Sequence, residues 1–249
     1  MKIIISPAKK MNIDTDTFGP QGLPVFLSRT KELMNYIKGL SYEDAKKLWS
    51  CNDKIAAKNF ERYEHMNLER QLTPAIVSYE GIQYQYMSPM VFSETALDYI
   101  QKNLRILSGF YGILKPFDGV TPYRLEMQAK AKIGTCKDLY EYWGNSLYEQ
   151  LTADDDHVIL NLASKEYSKC IEKYLQPGDL YITCVFGEES NGKVVQKGTF
   201  AKMARGEMVR YLAENNIDTL DDVKQFHGLG YEFSNEYSTE KEYIFLKKS

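Results

Sequence analysis

Three short runs of apolar residues constrain the fold of this chain more than any other feature of the sequence. They lie at Lys2–Ile5, His157–Leu162 and Asp179–Phe186. A short apolar run without regular polar alternation is typical of a strand that is buried on both faces. We therefore predict that these segments are interior strands of a central sheet and that helices cover the sheet.

Apolar residues at helical spacing predict where those helices lie. The predicted helices are Ser28–Lys38, Ser41–Tyr63, Ser93–Asn103, Lys137–Leu151 and Phe200–Asn215. Further strands are predicted at Pro74–Tyr79 and Tyr243–Leu246, and the glycines and prolines of residues 12–25 predict a loop. Because no linker rich in proline, glycine or serine divides the chain, we predict one mixed α/β (α+β) domain over residues 1–249. The strand order does not follow from the sequence.

The composition excludes several classes of protein. With 249 residues, of which 43% are hydrophobic, the chain can bury a sizeable core and does not resemble a disordered protein. No apolar run approaches the roughly 20 residues of a membrane helix, and the N-terminal run before Pro7 is too short for a signal-peptide core. The four cysteines show no paired spacing. We expect a cytoplasmic protein with reduced thiols and no membrane partner, of undetermined oligomeric state.

Charge is distributed unevenly along the chain. The net charge of −3 argues weakly against nucleic-acid binding. However, residues 115–137 carry five Lys or Arg against two acids, and residues 196–210 carry four against one. Residues 212–244 reverse the balance, with eight acids against two lysines. A basic face could therefore coexist with an acidic remainder, although ordinary solvated faces would give the same pattern.

Two glycines stand between apolar flanks in the stretch Leu104–Pro116. Glycine gives the backbone freedom to expose N–H groups, and exposed amides beside cations favour a phosphate. The stretch Gly109–Gly112, with Lys115 nearby, resembles a helix-hairpin-helix, which clamps DNA backbones. The usual motif has one residue between its glycines and this chain has two, so the turn is either a degenerate form or a packing turn.

Pairs of cations follow several predicted elements. Lys9 and Lys10 come directly after the first strand, where ligands often bind in α/β sheets. Lys165 and Lys169 follow the strand at His157–Leu162 in the same way. A third basic group lies on the predicted helix Phe200–Asn215 and consists of Lys202, Arg205 and Arg210. Each group could bind phosphates or simply be solvated, and Lys169 could also form an exposed pair with Glu166.

Signals for catalysis are weaker. The three histidines are isolated and no metal-binding spacing appears, so neither a metal site nor a cofactor is expected. Arg124 and Glu126 could orient a substrate, but the alternation from Tyr123 to Met127 also fits a short half-buried strand. The sequence therefore contains residues that could act in catalysis, but no motif that indicates a reaction.

Six segments, in order along nearly the whole chain, resemble the YaaA peroxide-stress family of bacterial cytoplasmic proteins, long described as a domain of unknown function. The segments are Ile3–Lys9, Leu107–Leu114, Pro122–Met127, Asp138–Gly144, Asn161–Ser164 and Ala204–Gly206. The resemblance implies an α/β domain of unusual topology with a positively charged cleft and a helix-hairpin-helix element. It also implies double-stranded DNA binding and a role in limiting oxidative damage and free iron.

The leading hypothesis is a DNA-binding stress protein that contacts duplex phosphates without reading the base sequence. The candidate phosphate-binding residues are Lys9, Lys10, Gly109, Tyr111, Gly112, Lys115, Tyr123, Arg124, Lys165, Lys169, Lys202, Arg205 and Arg210. The alternative is an enzyme that acts on a nucleotide, a nucleic-acid end or a damaged base, with Glu126, Tyr123 or Lys9 near the reacting atom. A third hypothesis, direct sequestration of iron, lacks a clustered set of ligands in the sequence.

Overall fold

A mixed sheet of eight strands forms the centre of the molecule in the computed structural model, which describes residues 1–154 and 156–248. Smaller two-stranded ladders lie beside it. The strands are β1 Lys2–Ile5, β2 Lys10–Met11, β3 Thr73–Pro74, β4 Tyr79–Glu80, β5 Leu104–Ser108, β6 Gly112–Leu114, β7 Gly119–Val120, β8 Val158–Leu162, β9 Leu180–Ser190, β10 Lys193–Val195, β11 Tyr231–Phe233 and β12 Glu242–Lys247.

Helices connect these strands. They are α1 Leu27–Lys38, α2 Tyr42–Trp49, α3 Asp53–Glu64, α4 Ala75–Ser78, α5 Ile82–Met87, α6 Glu94–Asn103, α7 Leu139–Trp143, α8 Ser146–Leu151, α9 Lys165–Glu172, α10 Gly198–Glu214 and α11 Leu220–Val223. Two 3-10 turns cover Pro89–Val91 and Gly228–Gly230. The predicted α/β class, with a mixed central sheet flanked by helices, is confirmed.

Five parallel strands determine the topology. They lie side by side in the order β5, β1, β8, β9, β12, and β6 and β11 add antiparallel strands at the two edges. Numbered along the chain, the parallel strands have the order 2-1-3-4-5, which is common among doubly wound sheets. Their first connection is unusually long, because residues 6–103 contain six helices and three short strands. β5 lies on one side of β1 and β8 lies on the other, so the direction in which successive strands are added to the sheet reverses at β1.

The predicted interior strands are confirmed. β1 pairs with β5 on one side and with β8 on the other, so that Ile3 faces Leu104 and Leu160 in register. All four residues of β1 are buried. Burial on both faces explains why this strand requires a continuous apolar run.

Two predicted helices are each divided in two. The stretch Ser41–Tyr63 forms α2 and α3, because Ser50 adopts a left-handed conformation with φ 45° and Asn52 then caps α3 through the amide of Ile55. The stretch Lys137–Leu151 forms α7 and α8, which are separated at Gly144 with φ 55°. Residues that end or cap a helix therefore divide each stretch into two helices, although the apolar spacing continues through it.

The strand predicted at Pro74–Tyr79 is wrong. Its middle forms the short helix α4, while its ends belong to the small ladders of β3 and β4. The amides of Ala75 and Ile76 donate to the carbonyl groups of Asp118 and Pro116, both at 2.9 Å, so the segment bonds to a loop instead of a sheet.

The helix-hairpin-helix predicted around Gly109 is also wrong. β5 and β6 form an antiparallel β-hairpin there, with Ser108 paired to Gly112. Pro116 follows this hairpin, as expected of a residue that cannot continue a helix. None of the helices in the described part of the chain is long and apolar enough to cross a membrane.

Candidate functional site

A cavity of about 440 Å³ opens at the carboxyl ends of β1 and β8, where the chain changes direction across the sheet. Ser6 follows β1 and Ser164 follows β8. The two residues touch, because the amide of Ser164 donates to Ser6 Oγ at 2.8 Å. Ligands of doubly wound proteins bind in the crevice at this switch in strand order. The topology alone therefore makes this cavity the first candidate for a functional site.

Charged side chains dominate the polar lining of this cavity, which we call the switch-point cavity. Its cations outnumber its carboxylates by five to three. The cations are Lys9, Lys10, Arg124, Lys202 and Arg205, and the carboxylates are Glu80, Glu126 and Glu166. The wall between them includes the apolar or aromatic side chains of Pro7, Ala8, Ile82, Tyr84, Tyr123, Leu125 and Tyr167.

Glu126 is held between two of the cations. Its Oε2 atom lies 3.1 Å from Lys9 Nζ, and its Oε1 atom lies 3.0 Å from Arg124 Nη2. The second contact is an ion pair without hydrogen-bond alignment, because Oε1 is buried and has no hydrogen-bond partner. Lys10 pairs instead with Glu80. Three of the five cations are therefore paired with carboxylates of the cavity, although two of them share the single charge of Glu126.

Gly109 determines where the segment containing Glu126 runs. A Cβ atom on Gly109 would lie 2.5 Å from the carbonyl oxygen of Leu125 and 2.9 Å from the carbonyl carbon of Glu126. Only glycine allows this backbone-to-backbone approach. The hairpin thus contributes to the cavity indirectly, by letting residues 125–127 pass over it.

A buried hydrogen-bonded group supports the same segment. The hydroxyl of Tyr123 lies 2.6 Å from Ser108 Oγ and 2.8 Å from the hydroxyl of Tyr79. Burial raises the pKa of Tyr123 to about 12, so its phenol is protonated at neutral pH. The adjacent Arg124 and Glu126 are thereby attached to a rigid part of the core.

Arg205 and Lys202 differ from the other three cations. Arg205 forms no ion pair with a carboxylate of the described residues, and its Nε atom is buried without a hydrogen-bond partner. Burial lowers the pKa of its guanidinium, and burial raises the pKa of the nearby Cys184 thiol, so that this thiol is uncharged at neutral pH. Lys202 precedes Arg205 by three residues of α10, on the same face, and also lacks an ion pair within the described chain.

A close helix crossing positions Arg205. A Cβ atom on Gly206 would lie 2.1 Å from the carbonyl oxygen of Gln83 in α5. The two helix backbones therefore touch, and both Arg205 and Gln83 line the cavity. Gln83 is buried, and its Nε2 atom has no hydrogen-bond partner.

Glu166 is in a different electrostatic setting from Glu126. Burial, with a contribution from the charge of Glu126, raises its pKa above the ordinary range. Its Oε1 atom accepts a hydrogen bond from the amide of Gln128 at 3.3 Å. The cavity therefore contains two acids in different environments, since Glu126 is paired with cations and Glu166 is not.

A second cavity of about 630 Å³ adjoins the first and shares Glu126 with it. Trp49 and Tyr36 form part of its wall. Its cations are Lys47, Lys130 and Lys132, all exposed, and none is in an ion pair with a described residue. Apart from Glu126, its one carboxylate is Asp44. We call it the tryptophan cavity.

Six of the thirteen candidate phosphate-binding residues line the switch-point cavity. They are Lys9, Lys10, Tyr123, Arg124, Lys202 and Arg205. The structure therefore brings together cations that lie far apart in the sequence. Lys9 and Arg205, for example, are separated by almost 200 residues.

The glycine turn does not present its amides to a ligand. Gly109, Tyr111 and Gly112 lie in the buried hairpin. The amides of Phe110 and Tyr111 donate to Ser108 Oγ at 3.2 and 2.9 Å. Gly112, with φ 77°, packs so closely on Trp143 that a Cβ atom would lie 2.9 Å from its ring. Of the two alternatives open at the sequence level, the packing turn is the one observed.

The remaining four candidates lie on other surfaces. Lys115 lines a separate cavity with Arg105, near the amino end of β5. Lys165 pairs with Glu172, and Lys169 borders a depression beside Tyr140. Arg210 pairs with Glu214 one turn further along α10, at 2.9 Å. These four cations do not line either of the two adjoining cavities.

Gln83 and most of the lining of the tryptophan cavity are not predicted from the sequence. Lys130 and Lys132 stand in the basic stretch 115–137 but carry no motif of their own. Lys47 and Trp49 belong to α2, where apolar spacing indicates only a packing face. No signal in the sequence marks Gln83, whose position depends on the contact with Gly206.

Within residues 1–154 and 156–248, no group of three or more His, Cys, Asp or Glu side chains is placed to hold a metal ion. Burial raises the pKa of the Cys51 and Cys170 thiols, that of Cys170 to about 12. Thiols of this kind are poor nucleophiles at neutral pH.

The fold and the cavities define a class of protein, an α/β protein with a charged cavity at the switch in its strand order. A model of the peroxide stress protein YaaA family matches residues 1–237. The chain belongs to this family.

Its curated relatives carry the name UPF0246 protein. The relative from Agathobacter rectalis is 58% identical over 248 residues, covering 100% of this chain and 99% of its own length. The relative from Desulfitobacterium hafniense is 55% identical over 247 residues, covering 99% and 98%.

Proposed function

We propose that this protein binds DNA non-specifically through phosphate contacts along the two adjoining cavities. In this way it would take part in the peroxide stress response, protecting DNA and limiting free iron. The observation that carries the proposal is the pair Lys202 and Arg205, two neighbouring cations without a carboxylate partner among the described residues. A phosphate would supply the missing charge and the missing hydrogen-bond acceptors.

The charge distribution supports the same proposal. The chain as a whole has a net charge of −3, yet cations exceed carboxylates in the lining of both cavities. Local excess of one sign in a concave site concentrates counter-ions there, even on an acidic protein. In this proposal, the β-hairpin at Gly109 does not bind DNA. It positions the segment that carries Arg124 and Glu126.

A salt-titrated binding assay tests the proposal. Affinity for duplex, junction and single-stranded DNA is measured between about 50 and 200 mM salt, where log–log slopes near −0.9 per neutralised duplex phosphate are expected. The double variant Lys202→Glu/Arg205→Gln should weaken binding at least about tenfold, as expected for loss of charge-assisted bonds. The matched control Lys165→Glu/Lys169→Glu alters two exposed cations outside the cavities. Affinity independent of salt, or equal weakening by both variants, would refute the proposal.

The second candidate function is an enzyme acting on a nucleotide, a nucleic-acid end or a damaged base. The observation in its favour is the pair Glu126 and Glu166, two carboxylates of one cavity in different electrostatic environments. Such a difference is how enzymes divide acid and base roles between carboxylates. Incubation with nucleotides and with DNA containing ends or damaged bases, followed by mass spectrometry, would detect turnover. Under this alternative, Glu126→Gln abolishes turnover and retains binding.

A further inference from the structure

A smaller cavity, of about 320 Å³, lies where β5 begins and β6 ends, and it shares no lining residue with the two adjoining cavities. Residues 21–25 contribute one wall of it. Two backbone hydrogen bonds hold this wall in place, from the amide of Gln21 to the carbonyl of Phe117 and from the amide of Gly119 to the carbonyl of Gly22, both at 2.9 Å. The cavity is therefore built into the fold. We call it the arginine cavity, after its lining residue Arg105.

Three charged side chains of the arginine cavity lie near one another without forming ion pairs. Arg105 and Asp118 are only 8% and 7% exposed, whereas Lys115 is exposed. Burial raises the pKa of Asp118 to about 6, and the charges of Lys115 and Arg105 oppose this rise, so its carboxylate is mostly ionised at neutral pH. No side-chain nitrogen of Arg105 or Lys115 lies within 4.0 Å of a carboxylate oxygen of Asp118. Because buried charges are ordinarily paired, opposite charges that share a cavity without meeting indicate a ligand that bridges them.

The hydrogen bonds already formed around the arginine cavity determine which groups remain for that ligand. Arg105 Nη1 donates to the carbonyl oxygens of Leu104 at 2.7 Å and Gln101 at 3.2 Å, which orients the guanidinium and leaves Nε and Nη2 without a carboxylate partner in the described chain. Gln101 Oε1 accepts a backbone amide at 3.1 Å, so its Nε2 group remains a donor. Asp118 Oδ2 accepts another backbone amide at 2.8 Å, which leaves Oδ1 as an acceptor. The cavity therefore offers donors for a carboxylate and an acceptor for an ammonium group.

The rest of the lining specifies the size and the apolar part of the ligand. Leu23 and Val25 line the cavity and are 48% and 54% exposed, beside the buried Ile113 and Leu114. A ligand that covers Leu23 and Val25 would remove apolar surface from water. The volume lies near the lower end of the roughly 300–1,000 Å³ typical of small-molecule sites, which favours a ligand of few heavy atoms.

We propose that the arginine cavity binds a free aliphatic α-amino acid, with its carboxylate on Arg105, its ammonium group on Asp118 and its side chain against Leu23 and Val25. Arginine matches a carboxylate through two parallel hydrogen bonds. Asp118 repels a simple anion, and Arg105 and Lys115 repel a simple amine, whereas a zwitterion complements charges of both signs. This inference goes beyond DNA binding and does not depend on it.

Isothermal titration calorimetry on the full chain tests the charge requirement. The probes are leucine and two analogues that each lack one charged group. 4-Methylpentanoate lacks the ammonium group, and 3-methylbutylamine lacks the carboxylate. Valine, with its two corresponding analogues, is the second probe. The amino acids should bind, and removal of either charged group should weaken binding at least about tenfold.

A substitution at Asp118 distinguishes ligand contact from a structural role. Asp118→Asn removes the charge and keeps an oxygen for the backbone amide that Asp118 accepts. In this variant the carboxylate-only analogue should bind within about twofold of the amino acid, because the partner of the ammonium group is gone. A cavity that is merely distorted would weaken both ligands and keep the preference. Arg105→Lys retains the charge but not the fork of donors, and it should weaken amino-acid binding at least about fivefold.

Exposed leucines provide a matched pair of variants that do not disturb the core. Leu23→Ala should weaken leucine binding about fivefold through the loss of apolar contact. Leu180→Ala changes a comparably exposed leucine outside the cavity and should leave the affinity unchanged.

Three results would overturn the inference. They are no binding of leucine or valine up to about 10 mM, equal affinity of the parent protein for leucine and 4-methylpentanoate, and equal effects of Leu23→Ala and Leu180→Ala. DNA binding is measured with variants of Lys202 and Arg205, which lie outside this cavity. Failure of either proposal therefore leaves the other standing.

Discussion

The turn Ser108–Gly112 and the segment Lys202–Gly206 both combine glycine with nearby cations, yet they differ in what the glycine does. In the turn, Ser108 Oγ occupies the free amides, and the glycines allow other backbone and side chains to pack against them. In α10, Gly206 lets α5 approach, and Arg205 remains without a carboxylate partner in the described chain. In these two segments, a glycine beside a cation in the sequence marks a point where another segment of the chain packs closely against the glycine backbone. Whether the cation is free for a ligand depends on partners from elsewhere in the chain.

The largest effect that tests this comparison is expected at Gly109. Gly109→Ala should lower the free energy of unfolding by about 3 kcal/mol, because the new methyl group would meet backbone atoms of residues 125–127 that cannot move aside. Denaturant unfolding measures the loss. Gly198→Ala is the matched control, since nothing lies within 4 Å of a Cβ atom there. A loss at Gly109 no larger than at Gly198 would show that the turn is not a packing element.

A smaller loss is expected at Ser108. Ser108→Ala removes the acceptor of two buried amides and the partner of the Tyr123 hydroxyl. Stability should fall by about 2 kcal/mol, as expected for buried groups left unpaired. Affinity for DNA should stay within about twofold, because the freed amides lie beneath the surface. Tighter DNA binding by this variant would instead mean that the turn can act as a phosphate clamp.

The smallest effect is a dependence of stability on pH that we expect from Asp118, which follows the hairpin strand β6. Burial raises the pKa of Asp118 to about 6, although its carboxylate accepts a hydrogen bond from the amide of Lys115 at 2.8 Å. A pKa raised on folding means that protonation stabilises the native state. This contribution is complete below the unfolded value of 3.8 and is lost as pH rises through about 6. The difference in unfolding free energy between the parent protein and Asp118→Asn should change by about 1–2 kcal/mol between pH 4 and pH 7. A pH-independent difference would contradict the buried setting of Asp118.

Much of the fold could be predicted because the strands carry their own signal. Lys2–Ile5 is buried on both faces, and its apolar run matches the observed strand residue for residue. The site was predictable only in part. Lys9 and Lys202 were found because they follow or lie on recognisable elements, but their meeting depends on a strand order that pairwise contacts between distant strands determine. Gln83 and Trp49 could not be found, because hydrogen-bond satisfaction is a property of the folded neighbourhood.

The most direct test of the central claim is to measure the stability of Arg205→Met with and without blunt duplex DNA. Without DNA, the variant should unfold with a free energy equal to or greater than that of the parent protein, because a half-buried cation without a carboxylate partner is replaced by an apolar side chain of similar length. Duplex DNA at about 100 times its Kd should stabilise the parent by about 2.7 kcal/mol and the variant by much less. A variant that is clearly less stable alone, and is stabilised by DNA as strongly as the parent, would contradict the account.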